Sequence, residues 1–448
     1  MVNPLALSMP GGAPGRLARA WLWLGLLALI GSGLLAILLV LSRTPGMQDV
    51  FPLRDFFRSA LIVHVDLSVA VWFMAFGAVL WSLAGGPGGT AWGWLGFGLA
   101  AGGTLLMTLS PFMPDTQPLL NNYIPVLQQP LFYVSLALCG AGFGVTLVRA
   151  VLTTWPAVRT AGPLQLGVFL AAVAGALAHV AFLLSWWILP AGEGQSHFEM
   201  LFWGGGHVLQ FQHAYLMAVC WLWIAAHLGV MPAVSPRTLG AFFVLAALPL
   251  AAVPFMNWAW PPGDPLHILW FAKLMEWGHP FMAPLILVSV AGLWRLRGVS
   301  DPARSAFLAS FVLFATGGIL GYLIRGVNVV VPAHYHGAIV GVTLAFMGLA
   351  FVLLPRMGYR PVTGRMALWQ PYVYGFGQLM HVLGLAWSGG YGVQRKVAGA
   401  EQVLTSLPQK IGMGMMGLGG LIAIIGGLLF VVICLRSMWP RGEGARAG

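Results

Sequence analysis

A chain of 448 residues with 59% hydrophobic and only 7% charged residues, and a mean hydropathy of +0.86, cannot be a water-soluble globule, where about a quarter of residues are charged. The formal charge of +11 does not point to nucleic acid, because the basic residues are scattered between apolar runs instead of forming a stripe. Cys139, Cys220 and Cys434 each lie inside an apolar run, far from one another, so the sequence offers neither a disulfide framework nor a CxxC motif.

Taken in order, the chain opens with Arg16 and Arg19 before an apolar run over 21–41, too long for a signal-peptide core and read as a first membrane span. Segments long enough to cross a bilayer recur about twelve times, near 20–41, 59–83, 92–110, 130–153, 165–189, 200–229, 237–257, 266–294, 304–324, 331–354, 367–387 and 411–437. The expected fold is all-α, a polytopic bundle of about twelve transmembrane helices forming one domain over 1–448, since no Ser- or Pro-rich linker divides it. An N-terminus in the cytoplasm places Arg149, Arg159, Arg237, Arg295, Arg297, Arg304, Arg356, Arg360, Arg365, Arg436, Arg441 and Arg446 inside with Arg16 and Arg19. Arg43, Arg54, Arg58, Arg325, Arg395, Lys396 and Lys410 then fall outside. This asymmetry follows the positive-inside tendency and predicts a multi-pass protein of a bacterial-type inner membrane with both termini cytoplasmic.

The stretch VPAHYHGAIVGVTLAFMGL at 331–349 carries His334 and His336 at the head of the tenth span. In a helix, residues two apart point about 200° apart, so the two imidazoles cannot share one metal ion. They suit two separate acceptors, such as a planar macrocycle on each side of the helix with its iron held by a neutral imidazole; a pair of hydrogen-bonded core histidines is the alternative. His64 lies near the start of the second span and His207 near the start of the sixth. All three spans begin on the expected outer side, so these imidazoles reach one level, on the order of 10 Å below the membrane boundary. Polar residues at such depth are functional candidates by default.

With these motifs in this order, the chain resembles subunit I of the haem-copper oxidase superfamily, which includes oxygen reductases and nitric oxide reductases. The resemblance implies that His64 and His336 hold a low-spin haem and His334 a high-spin haem, both of b type. It further implies that Arg395 and Lys396, in HVLGLAWSGGYGVQRK, face the haem propionates, where charge-assisted donors are wanted; an ordinary basic outer loop is the alternative. The segment NNYIPVLQQPLFYVSLALCGAG is similar to the cbb-like branch. The motif GGGHVLQF resembles the one that supplies the first ligand of the active-site copper, making His207, with His334, the expected catalytic pair.

The sequence departs from the family where an adjacent histidine pair is expected. VPFMNWAWPPGDP has Met256, Asn257 and Trp258 there, so the three-imidazole copper site cannot be assembled. The preferred expectation is no second metal, with copper or nonheme iron at His207 as alternatives. His267 either approaches the pocket or lies at the lipid interface, and His213 points away from His207. Lys273 and Glu276 are expected to form an ion pair, with a proton relay through Lys273, Glu276 and His279 as the alternative. Phe211 stands where nitric oxide reductases have a glutamate, Tyr215 reads as a packed core aromatic, and Asp66 is expected to bond backbone or a ligand imidazole. His179 and His381 are given packing or supporting parts, and the glycines before His207 either leave room for a bound diatomic or serve close packing. The function implied is passage of electrons from a low-spin to a high-spin haem to reduce oxygen or nitric oxide. The donor would be a cupredoxin-like or cytochrome c subunit on the outer side. A haem-binding electron-transfer or sensor subunit without turnover is the alternative, and a transporter would require a broken-helix repeat that is not found.

Overall fold

The computed structural model describes residues 5–43, 56–158, 162–395 and 404–439. Twelve long helical segments account for nearly all of them. They are α1 (Gly12–Arg43), α2 (Arg58–Ala84), α3 (Thr90–Leu109), α4 (Pro130–Val158), α5 (Pro163–Ile188), α6 (Gly194–His227), α7 (Pro236–Ala259), α8 (Pro265–Leu296), α9 (Pro302–Tyr322), α10 (Val330–Arg356), α11 (Arg365–Gly390) and α12 (Leu407–Met438). Eleven are long and apolar enough to cross a bilayer; α11 is 26 residues long and more polar. Helices dominate because backbone N–H and C=O groups in hydrocarbon must be satisfied within the segment. The chain is therefore an all-α, multi-pass membrane protein, as its apolar periodicity predicts.

Several helix ends are written in the local sequence. Asp264 and Asp301 accept bonds from the backbone N–H groups of Leu266 and Ala303, with proline in the first turn of α8 and α9. Ser406 and Gln409 form a reciprocal capping box at α12. Three interruptions shape the spans. Asp66–Val71 is a π-helical stretch within α2, Leu248–Ala252 in α7 is 3-10 with Pro249 at its start, and His279–Met282 in α8 is 3-10 around Pro280. Proline accounts for the last two, since it removes a backbone donor and clashes with the preceding turn.

The chain divides into two compact units, residues 1–226 with 231–292, and 227–230 with 293–448. In the first, α6 is the most enclosed helix: 83% of its most apolar window is buried, and Tyr215, Trp221 and Trp223 are fully buried. This unit also contains an unpredicted antiparallel hairpin, β1 (Gln117–Leu119) paired with β2 (Val126–Gln128), with Leu119 opposite Val126. In the second unit α10 is central, 89% buried over its apolar window, and it packs against both α9 and α11. Glycine permits the closest approach: a Cβ on Gly337 would lie 2.6 Å from the Gly317 Cα.

Candidate functional site

In the first unit, His64 is half-buried on α2 and tied to α1 in two directions. Its Nδ1 is 2.9 Å from the Ser32 carbonyl, while the Ser32 hydroxyl donates to the His64 carbonyl at 3.0 Å. A carbonyl can only accept, so Nδ1 carries the proton and Nε2 presents the lone pair. This anchoring to a neighbouring backbone carbonyl is how metal-ligating imidazoles are commonly oriented. Two residues on, the helix widens into its π-turn, a distortion frequent at functional sites. Asp66 opens that turn at 1% exposure, and neither of its oxygens meets a hydrogen-bond donor among the described residues. The expected bond from Asp66 to backbone or imidazole is therefore corrected; Ser32 fills that role for His64.

His207 on α6 is 1% exposed. Its Nδ1 donates to the Trp203 carbonyl at 2.7 Å, and the Tyr123 hydroxyl lies 2.8 Å from Nε2. With Nδ1 protonated, Tyr123 is the donor to Nε2, the nitrogen through which His207 would ligate a metal. Tyr123 comes from the turn between β1 and β2, which the start of α6 grips. Asn122 donates to both Glu199 oxygens, Gln195 reaches Leu120 and Asn121, and the Gly194 N–H bonds the Gln128 side chain. Burial, and after it the Glu199 carboxylate, push the Tyr123 phenol above its ordinary value, so the hydroxyl remains a donor. Sequence reading missed Tyr123. The usable signal was a run of polar residues, Asn121 and Asn122, at the same expected membrane face as Gln195 and Glu199.

The glycines before His207 are filled by neighbours. A Cβ at Gly204 would meet His267 Nε2 at 2.8 Å, one at Gly205 the Phe182 ring at 2.3 Å, and one at Gly206 the Tyr123 ring at 2.2 Å. Close packing is thus their role in this structure, and the alternative of open space for a diatomic is corrected. His267 is an interior residue at 0% exposure, its Nδ1 bonded to the Trp260 carbonyl at 2.8 Å and its Nε2 without a partner among the described residues. Of its two expected placements, the lipid interface is ruled out. His213 meets Phe73 edge-on at 4.7 Å. Phe211 stacks on His279 at 4.3 Å, and the Tyr215 hydroxyl donates to the Phe243 carbonyl at 3.2 Å. Lys273 and Glu276 form the expected ion pair at 2.6 Å. His179 bonds its own helix at Gly175.

In the second unit, the two imidazoles of α10 turn to different helices. His334 Nδ1 donates to the Gly317 carbonyl of α9 at 2.7 Å, so its Nε2 also presents the lone pair. His336 lies beside His381 of α11, with ring centroids 4.8 Å apart, and His381 is itself anchored to the Met416 carbonyl of α12 at 3.0 Å. Beyond α11, Gln394 bridges to Asn328 and the Val393 carbonyl accepts from Val329 N–H at 3.0 Å. That bridge brings Arg395 to the end of α10 bearing the two histidines. Lys396 lies outside the described residues.

These donor sets meet the requirement of haem iron for a neutral imidazole at His64 and His334, where a carbonyl of an adjacent helix fixes the tautomer. The surroundings of His207 do not meet that of a three-imidazole copper. Its Nε2 is engaged by Tyr123, Asn257 instead bonds Val253 in its own helix, and no three His, Cys, Asp or Glu side chains cluster suitably among the described residues.

No family model matches the sequence. It is 30% identical over 503 residues to an uncharacterized protein of Rickettsia prowazekii (strain Madrid E), covering 94% of this chain and 96% of that protein. An uncharacterized protein of Aquifex aeolicus (strain VF5) is 28% identical over 365 residues, 79% of this chain and 88% of its own length. Among solved structures, a chain of a heme-copper terminal oxidase dimer superposes with a TM-score of 0.70 at 17% identity, over 97% of this chain and 85% of that one. The chain therefore belongs to one family with the Rickettsia prowazekii protein, and it is built on the fold of a heme-copper terminal oxidase.

Proposed function

We propose that this protein is a di-haem respiratory subunit of the oxidase type. His64 and His336 would be the axial ligands of a low-spin haem, His334 the ligand of a high-spin haem, and Arg395 and Lys396 the propionate partners. The observation that supports this reading best is the anchoring of His64 and His334 by carbonyls of neighbouring helices, at 2.9 and 2.7 Å, in a chain with the terminal-oxidase fold over 97% of its length. When bound, the haems supply electron transfer and reduction of a small gas, oxygen or nitric oxide. The chain fixes the tautomers of His64 and His334, excludes water and lipid, and presents Arg395 at the outer end of α10. Electrons would arrive from a cupredoxin-like or cytochrome c subunit on the outer side of a bacterial inner membrane, with the whole chain acting as one domain.

A second reading, a haem subunit that transfers or senses electrons without turnover, is favoured by a specific observation. The Tyr123 hydroxyl holds His207 Nε2, and Met256, Asn257 and Trp258 replace the expected histidines. The test has two stages. Pyridine haemochrome analysis of purified protein should return two haems per chain, and a value near zero overturns both readings. Uptake of oxygen or nitric oxide by reduced, haem-loaded membranes then supports turnover, whereas no uptake with both haems present leaves the second reading.

A further inference from the structure

The connection between α2 and α3 reads GGPGG over 85–89 and is folded over a single side chain. Arg149 of α4, 4% exposed, donates through Nε to the Gly88 and Gly89 carbonyls at 3.1 Å and through Nη2 to the Gly86 carbonyl at 3.0 Å. Its Nη1 meets no acceptor among the described residues and is open at the surface. Carbonyls satisfy hydrogen bonds, but they carry no net charge, and a buried cation is ordinarily paired with an anion. The described residues supply none here. Segments 12–30, 80–100 and 145–158 meet at this corner and contain Arg16, Arg19 and Arg149, but no Asp or Glu.

The same guanidinium lies under the first turn of α3. A Cβ at Gly93 would lie 3.2 Å from Arg149 Nε. Gly89 is the N-cap of this helix; it has no side chain to bond the free N–H groups, and no acidic residue stands in the first turn. Helix N-termini carry partial positive charge and bind phosphate through such N–H groups. Leu17 of α1 also packs on Gly93, which brings the exposed Arg16 to the corner. Trp92 of α3 and Trp155 of α4 are 62% and 52% exposed, as aromatic side chains at headgroup level commonly are.

We propose that this corner binds the phosphate of an anionic phospholipid. The phosphate oxygens accept from Arg149 Nη1 and from the N–H groups of the first turn of α3, and Arg16 adds attraction from α1. The site stands where the span Thr90–Phe112 begins, the level at which headgroups border hydrocarbon, and basic pockets between membrane helices are suited to such headgroups. Further along α3, a Cβ at Gly98 or Gly102 would meet nothing within 4 Å, while Leu95 and Leu105 on either side are 47% and 61% exposed. This leaves a shallow apolar channel in which an acyl chain lies. A soluble phosphate would use the charges and leave that channel unfilled, so the lipid is the better fit.

The full chain should be compared in nanodiscs of phosphatidylcholine with and without phosphatidylglycerol, by hydrogen exchange over 85–95 and by native mass spectrometry of retained lipid. Slowed exchange at 90–92 and retention of phosphatidylglycerol over phosphatidylcholine are the expected results. R149Q, which keeps a donor for the loop and loses the charge, should weaken retention about tenfold, the value of a lost hydrogen bond to a charged group. A91D places a carboxylate at an exposed position of the first turn. It suits the helix dipole and repels phosphate, so it should abolish retention while the melting temperature in phosphatidylcholine alone is maintained. Should R149Q fail to fold, A91D alone decides. Equal retention of both lipids, or phosphatidylglycerol retention that A91D leaves intact, would overturn the proposal. Slowed exchange produced equally by inorganic phosphate in phosphatidylcholine discs would overturn the lipid as its source. None of these readouts needs haem, so failure here is separate from failure of the di-haem reading.

Discussion

Tyr123 is the residue through which the β1–β2 hairpin reaches the buried His207 of α6. Removing its hydroxyl leaves the buried His207 Nε2 without a donor, so Y123F should cost about 1–3 kcal/mol at neutral pH, the range for an orphaned buried acceptor. The variant also changes the alkaline response. Because the folded state raises the Tyr123 pKa, the unfolded chain releases that proton first, near pH 10. The contribution is therefore complete below about pH 10 and is lost as pH rises above it. Thermal unfolding should show the wild-type melting temperature falling more steeply than that of Y123F between about pH 10 and 11; parallel declines would mean that the phenol is not held protonated by the fold. His64, His207, His334 and His336 could be singled out from sequence because histidines are costly in apolar runs. Tyr123 could not, since its importance arises from the Glu199 and Gln195 contacts of a hairpin packed on a helix more than 70 residues downstream.

Helix packing in the second unit turns on backbone approach between α9 and α10. A Cβ at Gly317 would lie 2.3 Å from the Ala338 nitrogen and 2.9 Å from the His334 carbonyl oxygen, and backbone cannot step aside as a flexible side chain can. The carbonyl of this same Gly317 orients His334. G317A should therefore cost about 1–3 kcal/mol by overpacking, and it should also disturb His334, the proposed high-spin haem ligand. The expected outcome is a lower melting temperature with a diminished carbon monoxide difference spectrum, while the low-spin bands persist. G318A, at a neighbouring position with no atom within 4 Å of the added Cβ, should change neither. An intact carbon monoxide spectrum in a destabilised G317A protein would separate packing from ligand orientation. The opposed imidazoles of α10 were legible from the helical repeat, and the structure turns them to α9 and α11. The interruptions of α7 and α8 were not, because a proline inside an apolar span marks a break without saying what the broken helix packs against.

At the scale of the molecule, long apolar runs revealed the membrane helices because hydrocarbon leaves the backbone few alternatives. Their sidedness depends on weaker information, the distribution of arginine and lysine. Arg149 illustrates the ambiguity: its guanidinium bonds the carbonyls of Gly86, Gly88 and Gly89, so a residue counted toward orientation also holds the connection between α2 and α3 together. The proposed twelve crossings would place both termini on one side, together with the loops holding Arg237 and Arg360. In that proposed topology the loop containing Tyr123 and the segment containing Arg395 would fall on the opposite side. This arrangement predicts that alkaline phosphatase fused after residue 439 remains inactive while a fluorescent protein at the same place matures, and that phosphatase inserted at 192, between α5 and α6, is active. Activity at both positions would require an even number of crossings between them, eliminating the twelve-span topology, which has seven. Inactivity at 192 with activity after 439 would invert the molecule, placing the proposed propionate-binding segment and the donor surface on the cytoplasmic side.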